Sequence, residues 1–146
     1  MELTTMYSGL INYEEDNVIK FVEGLPGFEE NRQFLIVLSN DDALPFHYLQ
    51  SIEDTNLAFL ITNPFLFVNP YDFEIPDDVV NQLKIKKPSD ISIYSMTTIP
   101  DDLENTSINL TAPIIVNNAN NLARQVILNE YPVFKYFIFQ PEGKDE

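Results

Sequence analysis

The sequence predicts an all-β fold, mainly antiparallel and barrel-like, with one short helix. Three observations carry this. Apolar and polar residues alternate with period two through most of the chain, the pattern of half-buried strands. Turn-forming clusters recur about every ten residues, the spacing of sandwiches and barrels. One stretch, near Asp77, carries helical spacing with a start signal and a stop signal.

Glu2 to Tyr7, Gly9 to Tyr13 and Val18 to Phe21 read as three short strands, with Glu14-Glu15-Asp16-Asn17 as a polar turn between the last two. Phe34 to Leu38 is an apolar run short enough for a strand buried on both faces. Asn40-Asp41-Asp42 breaks it. Phe46 to Ser51 and Leu57 to Thr62 flank the turn Glu53-Asp54-Thr55-Asn56 and read as a hairpin. Ile91 to Ile99, Ser107 to Leu110, Ile114 to Asn117 and Ala123 to Leu128 complete the strands. In the helix, Asp77 caps the start and Asp78 lies near the positive end of the dipole. Val79, Val80 and Leu83 form the apolar stripe. Lys84, Lys86 and Lys87 crowd the far end, where positive charge suits the dipole, and Pro88 stops the helix. Residues 1–134 read as one domain. Residues 135–146 are a tail whose first half is apolar enough to dock and whose end is polar.

With 146 residues, a domain buries roughly two-thirds of its unfolded-chain surface and needs no disulfide or metal. There are no cysteines, which excludes disulfides, thiolate metal sites and a cysteine nucleophile, and fits a reducing cytoplasm. The start, MELTTMYSG, lacks the basic and apolar segments of a secretory signal. No apolar run approaches the roughly 20 residues of a membrane helix. Against 23 acidic residues stand 8 basic ones, a net charge of −15. Direct binding to nucleic acid or to an acidic membrane is therefore disfavoured, and a basic protein is the partner that electrostatics favours. Acidity also serves plain solubility.

Nothing in the chain assembles into recognisable catalytic chemistry. His47 is the single histidine, in FHYLQS, and reads as a structural or surface residue, because a triad needs a nucleophile, a base and an orienting acid together. The pairs Asp41-Asp42, Asp77-Asp78 and Asp101-Asp102 all lie at turns or a helix start, where such side chains bond nearby N–H groups. Gly24 and Gly27 are spaced wrongly for a phosphate loop, and no calcium-loop spacing occurs. No cofactor or metal is expected.

Two stretches read as contact surfaces. PFLFVNPYDF, residues 64–73, sets Phe65, Phe67, Tyr71 and Phe73 between prolines that exclude a central paired strand. Phe65 and Phe67 are expected on one side, Leu66 and Val68 on the other. Such a cluster is core by default, or an apolar contact patch at an irregular edge. In EGLPGFEENRQFLIV, residues 23–37, the glycines allow turn conformations, Pro26 fixes the bend and Phe28 buries as the loop's anchor. Glu23, Glu29 and Glu30 stay wet. The partner-binding candidates are Glu29, Glu30, Phe65, Phe67 and Tyr71, with Glu14, Glu15 and Asp16 as steering charges.

FVEGLPGFE (21–29), PFHYLQSIEDTNLAFLITNPFLF (45–67), IPDDVVNQL (75–83), NLTAPIIVN (109–117) and RQVIL (124–128), in that order, resemble the FliW family of bacterial flagellar assembly factors. The resemblance runs from about residue 2 to about residue 133. Val22 stands where the family usually carries proline, and the tail after Val133 has no counterpart. The resemblance implies a small all-β cytoplasmic protein without enzymatic activity and two partners taken in turn. One is flagellin awaiting export. The other is CsrA, a basic RNA-binding dimer that represses flagellin translation, antagonised allosterically from a surface away from its RNA site. Two other readings stay open beside it: a barrel that binds a small ligand, and a direct anionic mimic of RNA.

Overall fold

The computed structural model describes residues 1–38 and 45–139. The Asn40-Asp41-Asp42 break and the polar end of the tail lie outside them. β1 (Glu2–Thr5) and β2 (Gly9–Asn12) form a separate two-stranded sheet. β3 (Ile19–Phe21), β4 (Gln33–Leu38), β5 (Phe46–Ser51), β6 (Ala58–Thr62) and β7 (Ile91–Thr98) then pair in sequence, each antiparallel to the last. β8 (Ser107–Ile108) pairs with the end of β7. β9 (Ile114–Asn117) pairs with the start of β7, and β10 (Leu122–Gln125) pairs with both β9 and β3. β3 to β7, β9 and β10 therefore close on themselves as a barrel. Among the described pairings β3 with β10 is parallel and the rest are antiparallel. Closure leaves few strand edges open.

Val22 extends the closure: its N–H donates to the Ala123 carbonyl at 3.1 Å, a bond that proline at this position cannot make.

The alternation read from the sequence sorts side chains into two cores. Inside the barrel are Phe21, Phe34, Leu49, Ile61, Ile114, Val116 and Ala123, with Leu25 closing one end. Outside, Ile115 and Val126 meet Tyr71, Val79, Leu83, Leu110 and Leu128, which belong to the long crossover after β6 and to the chain beyond β8. β9 is buried along its whole length because it serves both cores. In β4, Phe34 and Leu35 are buried, but Leu38 is 67% exposed, so the expectation of burial on both faces holds only for its first half.

The helix, α1 (Asp77–Gln82), begins and ends differently from expectation. Pro76 occupies the cap position, and Asp77 and Asp78 both lie in the first turn. The end is a Schellman motif. Lys84 takes a φ of 56°, its N–H donates to the Asn81 carbonyl, and the Ile85 N–H reaches back to Val80. The chain has left the helix before Pro88, which opens a short 3-10 turn, and no lysine lies in the last turn. The first part of the tail docks as expected: β11 (Tyr136–Phe137) pairs with β8.

Candidate functional site

The eight contact candidates fall into three places. Glu14 precedes a 3-10 turn, Glu15–Asn17, that leads into β3. The Glu14 N–H donates to Asn17 Oδ1 at 2.9 Å, and the Asn17 N–H returns to the Glu14 carbonyl at 2.9 Å. Asn121 Nδ2 donates to the Asp16 carbonyl at 2.6 Å, so the turn is anchored by backbone while all three carboxylates remain exposed. Beside them lies a groove of about 560 Å³. Its walls are Ile11 to Tyr13, Asp16 and Asn17 on one side and Leu35 to Val37 on the other.

Glu29 and Glu30 lie in the long loop between β3 and β4. Gly24, with a φ of +70°, turns the chain so that Leu25 enters the barrel end at 2% exposure. Leu25, and not Phe28, is therefore the buried anchor. Phe28 remains 40% exposed and stands edge-on to Phe59 with ring centroids 5.2 Å apart. Glu29 Oε2 accepts from the Gly27 N–H at 3.0 Å, and this bond holds its carboxyl below the ordinary range. Arg32 ties the loop down, donating to the carbonyls of Val22 and Glu29. Glu23 is exposed but not unpartnered. It meets Arg124 at 3.6 Å and accepts from Gln82.

The aromatic candidates divide. Pro64–Leu66 is a 3-10 turn capped by Asn63, so strand alternation does not apply there, and Phe65 and its neighbour Leu66 are both exposed. Phe67 is half-buried and stacks on Phe46, ring centroids 6.4 Å apart. Tyr71 is a core residue. It is 2% exposed, packs against Phe65, Phe73 and Tyr131, and donates its hydroxyl to the Leu110 carbonyl. Burial, with Tyr131 and Glu130 nearby, pushes its hydroxyl well above the ordinary range. A side chain so enclosed is not a contact surface.

Strand direction places these groups. β3, β5 and β7 run the same way, so the turn before β3 and the turn beside the start of β7 share one rim of the barrel. Glu14 to Asp16 and Phe65 lie on that rim but three or more strands apart, and Glu29 and Glu30 lie at the opposite end. The structure makes no single site of the eight residues. The sequence reading also missed the backbone edge of β4 that the groove exposes, since strand pairing between distant residues carries no local signal. Only the EEDN interruption marks where the ladder ends.

Asp102 caps the 3-10 turn Leu103–Asn105, and Asp78 reaches Arg124 at 3.4 Å, so both serve local structure. His47 stands in the ladder opposite Leu38 and Ile61. Among the described residues no cluster of three histidine or carboxylate side chains is arranged to hold a metal, and no helix is long and apolar enough to cross a membrane.

The family model described as FliW protein matches residues 2–137. The chain belongs to the FliW family. The match takes in β11, so it extends beyond the point near Val133 at which the sequence resemblance stops. The flagellar assembly factor FliW of Clostridium kluyveri is 41% identical over 144 residues, covering 97% of this chain and 98% of that protein. That of Alkaliphilus metalliredigens is 40% identical over 129 residues, covering 88% of this chain and 80% of that protein. A crystal structure of the flagellar assembly factor FliW superposes with a TM-score of 0.89 at 31% identity, covering 97% of this chain and 99% of that one. Membership in the FliW family supports a role in flagellar assembly, a non-catalytic kind of work.

Proposed function

We propose that this FliW-family protein is a non-enzymatic cytoplasmic regulator that binds flagellin and antagonises the translational repressor CsrA, coupling flagellin synthesis to flagellum assembly. Family membership along residues 2–137 carries the reading. The surface chemistry is consistent with it. Of the 23 acidic residues, few are neutralised locally: among the described residues the ion pairs are those of Arg124 with Glu23 and Asp78. A basic dimer is drawn to such a surface, and bound RNA is repelled by it. Antagonism then follows from coupling between two sites and needs no overlap with RNA.

The test is a titration of this protein against CsrA and flagellin from the same organism, at low and physiological salt. Binding of both, with flagellin displacing CsrA, supports the partner switch. Binding of neither by folded protein overturns it. A direct anionic mimic is separated by adding RNA: a mimic excludes RNA from CsrA, whereas an allosteric antagonist passes through a ternary complex. The small-ligand barrel is disfavoured by packing, since Phe21, Phe34, Leu49, Ile61 and Ile114 fill the interior at 1% exposure or less.

A further inference from the structure

Among the described residues, half of one edge of β4, a barrel strand, is unpaired. The Ile52 N–H donates to the Gln33 carbonyl on the β5 side, and the Phe21 N–H donates to the Arg32 carbonyl on the β3 side. Backbone groups alternate along a strand, so Gln33, Leu35 and Val37 turn theirs toward β5, and Phe34, Ile36 and Leu38 turn theirs toward β3. The β3 ladder stops at Ile19↔Phe34. Before Ile19 the chain coils away: the N–H groups of Asn17 and Val18 are taken by Glu14 and Glu15. No described residue pairs with Ile36 or Leu38 on that side. The groove of about 560 Å³ opens at this point, with Ile11, Tyr13 and Leu35 as apolar wall and Asp16 on its rim beside Glu14 and Glu15.

We propose that this groove receives an extended, basic segment of a partner protein, which adds a short strand to the free edge of β4. Strand addition takes its affinity from backbone hydrogen bonds and its selectivity from alternate side chains. Ile36 and Leu38 supply the donors and acceptors. A guest alternating apolar and basic residues matches the two kinds of wall: apolar side chains against Ile11 and Tyr13, which are partly exposed, basic ones against Glu14, Glu15 and Asp16. The carboxylates favour a basic guest and discourage a second copy of this acidic chain from pairing at the same edge. The inference deepens the proposed function, because it rests on a basic protein being a partner and names how and where that partner is held.

Amide hydrogen exchange read by NMR on the whole protein tests it, with two separate additions: CsrA, and a hexapeptide of alternating lysine and valine. The expected result is slowing of the Ile36 and Leu38 amides by about tenfold or more, with Val37, already in the β5 ladder, unchanged. Leu38→Pro removes a donor on the open side and spares the β5 ladder, so it is expected to weaken binding about tenfold. If CsrA does not bind the unmodified protein, the proposed function fails, and the peptide still decides the groove. Unaltered exchange at Ile36 and Leu38 under saturating partner or peptide overturns strand addition, and so does full-strength binding by folded Leu38→Pro. Should Leu38→Pro not fold, exchange on the unmodified protein decides between slowed and unaltered amides.

Discussion

Asn117, on a barrel strand, donates its side-chain amide to the Leu83 carbonyl at the end of α1 at 2.9 Å, across a sequence gap of 34 residues. The same nitrogen reaches the Lys84 carbonyl at 3.2 Å, and Asn117 Oδ1 accepts from the Ala119 N–H. Asn117 is 1% exposed, so it satisfies the Leu83 carbonyl in a buried position and the Lys84 carbonyl at its edge. Asn117→Leu removes the donor to the Lys84 carbonyl and one of two to the Leu83 carbonyl, which Asn120 Nδ2 still reaches at 3.1 Å, and is expected to cost about 1 kcal/mol. Urea unfolding measures it, and a midpoint unchanged from the parent refutes this role for Asn117.

Lys84 holds the left-handed conformation of that motif with a side chain attached. Glycine there avoids the clash between Cβ and the backbone, which costs roughly 1–2 kcal/mol in this region. Lys84→Gly loses part of that gain through unfolded-chain entropy. The net expectation is stabilisation by about 1 kcal/mol or less, read as a higher urea midpoint with an unchanged slope.

Gly24 and Gly27 both have positive φ yet differ in surroundings. A Cβ on Gly24 meets the Glu29 Cα and carbonyl oxygen at 2.8 Å, whereas one on Gly27 meets nothing within 4 Å. Gly27→Ala should therefore cost only the backbone strain, about 1–2 kcal/mol. Gly24→Ala adds a clash with backbone that has no rotamer to yield, and should cost distinctly more and dislodge Leu25 from the barrel end. Equal unfolding midpoints for the two variants would contradict the close packing of this loop.

The strands are legible in the sequence because each is short, half-buried and bounded by its own turn residues, so local alternation reports a global arrangement. Barrel closure is not, because the β3–β10 pairing joins Lys20 to Leu122 across a hundred residues and is parallel. The helix end is not legible because the visible stop signal is Pro88, while the residue that turns the chain is Lys84, in a conformation that glycine usually takes. Tyr71 is misassigned for a related reason. From Phe67 to Pro76 the chain is neither strand nor helix, so no periodicity says which ring faces inward. Only the hydroxyl partner, Leu110, shows it. For the acidic turn the residue types are legible and the open edge beside them is not.

Tyr71 gives an alkaline prediction. Its folded-state pKa is raised, so the fold favours the neutral phenol. That contribution is complete below the ordinary value of about 10 and is lost as pH rises above it, because the unfolded chain gains tyrosinate first. Stability should fall between about pH 9.5 and 11 by an amount that Tyr71→Phe reduces. The same variant removes the donor to Leu110 and should cost about 1 kcal/mol at neutral pH. Urea midpoints at the two pH values test both signs, and an alkaline loss identical in the two proteins would remove Tyr71 as its source.

Phe65 and Phe67 separate interface from core. Phe65 is 45% exposed on a capped turn, and its ring meets Tyr71 at 5.7 Å. Phe67 lies against Phe46 and the outer core, so its removal opens a gap. Phe67→Ala is expected to cost about 2–4 kcal/mol, near the lower end of values for buried aromatics. Phe65→Ala is expected to cost about 1 kcal/mol or less, because the site opens to water rather than to a void. If the Phe65 edge is a contact, the same variant should weaken binding to CsrA or flagellin at least about tenfold, the size of an aromatic hot spot. Circular dichroism and urea unfolding establish that the variant is folded before binding is measured. A folded Phe65→Ala that binds both proteins at full strength would exclude the Phe65 edge from recognition. Loss of binding in proportion to the fraction unfolded would return Phe65 to the support of Tyr71.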